Sequence, residues 1–83
     1  LKIDKSLIDH ICETRVEILV NHIIKLSKAL NMRVLAEGVE TTEQLDVLRK
    51  IKCDEIQGFY YARPMPEVEF VEYVRKSDNH KRL

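Results

Sequence analysis

The sequence predicts an α/β fold with elements in the order β-α-β-α-β-α and parallel strands. Three observations predict it. Short apolar runs at residues 1–3, 34–36 and 55–56 alternate with stretches whose apolar residues recur at helical spacing. The 83 residues contain only two glycines and two prolines, Gly38, Gly58, Pro64 and Pro66, and these punctuate the ends of the runs. The strands are too short and too apolar to alternate, which suits a sheet buried on both faces. Strands separated by helices imply parallel pairing and right-handed crossovers. On periodicity alone, part of an eight-fold barrel and half of a doubly wound sheet both satisfy this order.

Leu1-Lys2-Ile3 reads as the end of a first strand. From about Glu13 to Leu30, Val16, Leu19, Val20, Ile23, Ile24, Leu26 and Leu30 form a helical stripe. Asn31 then offers a stop, because Asn tolerates the left-handed backbone that closes many helices. Val34-Leu35-Ala36 forms a second strand running into Glu37-Gly38. Thr41 and Gln44 have the spacing of a capping box, in which each side chain satisfies a free backbone N–H of the helix start. Leu45, Leu48 and Ile51 supply that helix with its buried stripe, and Lys50 and Lys52 suit the negative end of its dipole. Glu55-Ile56 forms a third strand ending at Gln57-Gly58. A last helix is expected from Pro66, where the missing N–H costs nothing, with Val68, Val71 and Val74 buried. Residues 77–83, including His80-Lys81-Arg82, are expected to form a flexible tail.

Length allows one small domain. Lys and Arg number 14, and so do Asp and Glu, giving a formal net charge of zero. A protein that grips DNA or RNA needs a basic excess to neutralise phosphates, so that class is excluded. Cys12 and Cys53 have no metal-ligand or redox spacing and are expected to pack as reduced, small hydrophobes. His10, His22 and His80 have no partners at ligand spacing and are not assigned to a metal. The apolar runs are only a few residues long, so neither a membrane contact nor a signal peptide is predicted. Opening on Leu1 without Met reads as the cut edge of a longer chain.

Parallel α/β folds gather function at the carboxyl ends of their strands. That rule selects Lys2 or Asp4 after the first strand, Glu37 after the second and Gln57 after the third. Gly38 and Gly58 follow two of these positions and would let a ligand or a neighbouring backbone approach closely. Ordinary strand-to-loop polar residues are the competing reading. Tyr60 and Tyr61 have faces on which a base could stack, but packing beneath the last helix is the simpler expectation, as it is for Phe59.

Three blocks carry a family resemblance. Residues 1–8, LKIDKSLI, are similar to the LKIDKSFI segment of EAL domains. Residues 34–41, VLAEGVET, resemble the family's loop after the seventh barrel strand. Residues 53–64, CDEIQGFYYARP, resemble its closing strand and the turn that follows. The resemblance covers residues 1–75, and the family departure at Leu7, where Phe is usual, keeps the apolar character. It implies that residues 1–76 are the last three β-α units of a TIM-type (β/α)8 barrel. It also implies hydrolysis of cyclic di-GMP to the linear dinucleotide by water that Mg2+ or Mn2+ activates.

Carried over by position, Lys2 corresponds to the catalytic lysine and Glu37 to a glutamate at the metal-water centre. Gln57 corresponds to a site-orienting or substrate-binding glutamine, while Glu40 and Asp4 are expected to support the loops. The family's EAL glutamate, its remaining metal ligands and its paired aspartates belong upstream of Leu1. This stretch alone is therefore expected to be inactive, to bind no metal tightly and to self-associate over its open edges. Upstream sensory or GGDEF-type domains and a cytoplasmic site are expected, with any membrane anchor upstream. A non-catalytic cyclic di-GMP receptor is the alternative that the resemblance leaves open.

Overall fold

The computed structural model describes residues 1–58, 65–72 and 75. Its elements are β1 (Lys2–Ile3), α1 (Lys5–Ile8), α2 (Thr14–Ala29), β2 (Leu35–Val39), α3 (Thr42–Lys50), β3 (Glu55–Gly58) and β4 (Met65–Pro66). Residues 67–72 form a further helix, α4. The sheet order is β1-β2-β3-β4. The first three strands are parallel, as expected.

β4 departs from that expectation, because Met65 and Pro66 return antiparallel beside Ile56 and Glu55, making the sheet mixed. Pro66 cannot donate a ladder hydrogen bond and is tolerated here because β4 is the outermost strand. The sequence offers no sign of α1, which has only four residues, too few for a periodic apolar signal, yet Asp4 caps it and Ile8 is fully buried. In α4, Val68 is 71% exposed and Phe70 is the fully buried residue, with Val71 packing beside it. Two helical residues span about 200°, so burying Phe70 turns Val68 to solvent. Val74 and the 77–83 tail lie outside the described residues.

Both long helices close with the same device. Asn31 follows α2 at φ 59° and Lys52 follows α3 at φ 63°. In each case the next N–H reaches back over the turn, from Met32 to the Ser27 carbonyl at 2.8 Å and from Cys53 to the Leu48 carbonyl at 3.0 Å. These are Schellman closures, and they satisfy carbonyls that the last helical turn leaves free. At the other end of α3, Thr41 and Gln44 form the expected capping box.

Ile3, Ala36 and Ile56 from the sheet join Val20 and Ile24 of α2, Leu45 and Leu48 of α3, Ile8, Ile11 and Phe70 in one core. Leu19, Leu26 and Leu30 of the predicted α2 stripe lie outside it, exposed along one flank of the helix. Cys53 is buried, but Cys12 is exposed, contrary to expectation. Cys12 lies in the turn between α1 and α2, where neighbouring Ile11 takes the core position. Among the described residues no helix is long and apolar enough to cross a membrane.

Candidate active site

Strand register decides which side chains meet. Leu35 stands between Lys2 and Glu55, and Ala36 between Ile3 and Ile56. Successive side chains alternate faces. Ile3, Ala36 and Ile56 therefore point together into the helix-covered core, where they are buried. Lys2, Leu35, Glu37, Glu55 and Gln57 point together to the opposite face. Three of the five sequence-selected residues, one from each parallel strand, thus share a face.

On that face the Lys2 ammonium stands 3.7 Å from a Glu37 carboxylate oxygen. The contact is loose, and Lys2 is 73% exposed while Glu37 is 31% exposed. Gln57 is half-buried next to Gly58. Gly58 is required by the strands themselves, because an added Cβ would lie 2.0 Å from the Val39 carbonyl oxygen. β2 and β3 converge there across a register irregularity between Ala36 and Val39. Close approach at this glycine is therefore backbone to backbone.

Beyond Glu37 the chain turns through Gly38 at φ +73°, a region that favours glycine. The Lys5 side chain lies across this turn, with its Cγ 2.4 Å from where a Cβ on Gly38 would stand. Its ammonium then reaches Glu40 at 2.9 Å and Asp9 at 2.9 Å. These two carboxylates hold the Lys5 pKa above the ordinary range. The far side of the turn is pinned by Gln44, whose side-chain oxygen accepts from the Glu40 N–H at 2.8 Å and the Thr41 N–H at 3.2 Å. Asp4 points along α1 and accepts from the Ser6 hydroxyl at 2.6 Å and the Ser6 N–H at 3.0 Å. Those bonds lower its pKa below the usual carboxylate value.

Lys5 is the residue that sequence reasoning missed. The signal was available in the glycine at 38, which demands an explanation for the space beside it. Asp54 was missed too; its carboxylate accepts the Val34 N–H at 2.9 Å and ties the start of β2 to the loop before β3.

Among the described residues no three His, Cys, Asp or Glu side chains converge as a metal cage would require. Glu37 offers one carboxylate and fits a divalent ion only as one donor among several. His10 pairs with Glu13, and His22 with the Ile18 carbonyl. A groove of about 510 Å³ between α2 and α3, rimmed by Lys25, Lys28, Lys50 and Lys52, contains none of the selected residues. Phe59, Tyr60 and Tyr61 lie outside the described residues.

Residues 1–64 match the EAL domain family model. The chain is 47% identical over 70 residues to the oxygen sensor protein DosP of Escherichia coli (strain K12), covering 83% of this chain and 9% of that protein. It is 37% identical over 76 residues to the cyclic di-GMP phosphodiesterase NbdA of Pseudomonas aeruginosa, covering 90% of this chain and 10% of that protein. Among solved structures, a standalone EAL protein from Vibrio cholerae O395 in its c-di-GMP-bound form is similar, with a TM-score of 0.67 and 33% identity. That match covers 80% of this chain and 28% of the solved one. The chain thus spans about a tenth of the length of these curated relatives. With the match extending over most of its length, this chain belongs to the EAL domain family.

Proposed function

We propose that residues 1–76 supply the last three β-α units of a TIM-type barrel that hydrolyses cyclic di-GMP to the linear dinucleotide. The observation that carries this reading is the shared face: Lys2 and Glu37, from adjacent parallel strands, stand 3.7 Å apart away from the helices. In a closed barrel that face is the interior, and its upper rim is where such folds hold substrate. The relatives' names point to the same substrate class.

In this reading Lys2 presents positive charge to the phosphate and steadies the attacking water, as electrostatic catalysis requires. Glu37 would donate one carboxylate to Mg2+ or Mn2+, which when bound would lower the pKa of water and polarise the phosphoryl oxygen. The other donors come from outside this chain. Gln57 orients a polar group of the dinucleotide, and Asp4 and Glu40 hold the loops. Alone, the stretch is inactive. The longer protein carries its sensory or GGDEF-type domains upstream and works on the cytoplasmic side.

The test is turnover of cyclic di-GMP by the full-length protein with Mg2+ or Mn2+, comparing wild type with Glu37→Ala. Linear dinucleotide from the wild type and a loss of about 100-fold or more in the variant is expected. Tight binding without turnover in the wild type would replace the enzyme by a receptor.

A further inference from the structure

We infer that Lys5 is a positioning residue that fixes the turn carrying Glu37, acting through Gly38 and Glu40. The inference rests on the functional reading above and deepens it.

Four observations converge. The Lys5 stem occupies the space beside Gly38 that a Cβ would need, with Cγ, Cβ and Cδ at 2.4, 2.8 and 2.9 Å from that point. Its ammonium reaches Glu40 at 2.9 Å, two residues beyond Gly38. The same ammonium is anchored by Asp9, both of whose carboxylate oxygens accept from it at 2.9 and 3.1 Å. The far end of the turn is independently fixed by Gln44. Lys5 therefore fastens one side of the segment 37–41, which runs from the irregular end of β2 to the N-cap of α3 and whose other side is already fastened.

The ion pairs themselves are half-exposed and contribute little to global stability. Their effect is on orientation. A free lysine loses rotamer entropy when it forms a salt bridge, but this stem is already laid down by packing on Gly38. Both carboxylates then add their attraction to one ordered ammonium. Glu37 immediately precedes Gly38, so any movement of the turn moves its carboxylate relative to Lys2. At 3.7 Å that pair is loose enough to depend on how the turn is held. A displacement of about 1 Å at a catalytic group can cost about 100-fold in rate. The Lys5 ammonium is engaged by Glu40 and Asp9, and this role needs no contact with substrate.

The test compares wild type, Lys5→Met, Lys5→Arg and Glu40→Gln in the full-length protein. The readouts are kcat and KM for cyclic di-GMP with Mn2+, and hydrogen exchange of the peptide spanning residues 36–44. Lys5→Met keeps the stem and removes the charge. It is expected to lower kcat about 10- to 100-fold, with KM within about 3-fold, and to speed exchange in the 36–44 peptide. Lys5→Arg restores the bridge and should recover kcat to within about 3-fold of wild type. Should Lys5→Met not fold, Glu40→Gln cuts the same bridge at its exposed end and should reproduce the kcat loss. Unchanged kcat and exchange in Lys5→Met, or in Glu40→Gln where that variant stands in, overturns the role of Lys5 while leaving the enzyme reading intact. A Lys5→Arg variant as impaired as Lys5→Met also overturns it. A wild-type protein without turnover defeats the functional reading itself, and the role of Lys5 within it.

Discussion

Gly58 and Gly38 stand one strand apart and exclude side chains for different reasons, and each reason carries a consequence. At Gly58 the obstacle is backbone, the Val39 carbonyl, which cannot swing aside. Gly58→Ala must open the β2–β3 ladder beside Gln57, and a loss of about 3 kcal/mol is expected by denaturant titration of the intact protein. At Gly38 the obstacle is a side chain, so Gly38→Ala displaces Lys5 as well as straining a backbone at φ +73°. The two cysteines differ as sharply. Burial pushes the Cys53 thiol up to about 11, while Cys12 is exposed. A thiol whose folded pKa is raised favours the neutral form, so its contribution to stability is complete below the ordinary thiol pKa and is lost as pH rises towards 11. At pH 8, alkylation followed by peptide mapping is expected to modify Cys12 rapidly and Cys53 only after unfolding. Equal labelling of both would contradict the buried placement. The placement of Lys2, Glu37 and Gln57 on three parallel strands was legible from the short apolar runs that they border. Gly38 signalled that something lies close against it, but that the neighbour is Lys5 was not legible, because the contact joins distant parts of the chain.

Helix ends set the lengths of the connections that carry the site. Thr41 caps α3 and also ends the short connection that follows β2, so its loss acts on both. Thr41→Ala is expected to cost about 1 kcal/mol in chemical denaturation. At the other end of α3, Lys52 holds a left-handed conformation that glycine adopts without steric cost. Lys52→Gly is therefore expected to stabilise the protein by about 0.5–1 kcal/mol, a reversal of the usual effect of glycine. Both features belong to local sequence, and the capping box and the Asn31 stop were readable from it directly. α1 and β4 were not. Each is held by tertiary contact: α1 by burying Ile8, and β4 by pairing Met65 and Pro66 against β3. The register of α4 was misread because three valines suggested a stripe that one larger side chain, Phe70, overrides.

Among the described residues, the four-stranded sheet is covered by helices on one face. β1 and β4 end it on either side, and β1 offers its outer backbone edge unpaired among the described residues. The flank of α2 carrying Leu19, Leu26 and Leu30 is turned away from α3, which packs on the side lined by Glu17 and Ile24. An exposed apolar stripe and an open strand edge are each unfavourable in water. The isolated 83-residue chain is accordingly expected to elute well above its 9.8 kDa monomer mass in light-scattering chromatography. Leu26→Lys should shift it towards monomer or reduce its solubility as an oligomer. A sharp, well-folded monomer would contradict that expectation.

The proposed function divides the sheet into a face that carries chemistry and a face that carries the core. Its most direct test is cyclic di-GMP turnover by the full-length protein in Lys2→Met, Glu37→Gln and Ile56→Val variants, with thermal unfolding measured alongside. Lys2→Met and Glu37→Gln are predicted to lose about 100-fold or more in kcat at nearly unchanged melting temperature. Ile56→Val is predicted to lose about 1 kcal/mol of stability and keep its turnover. Turnover that survives both Lys2→Met and Glu37→Gln would contradict this division.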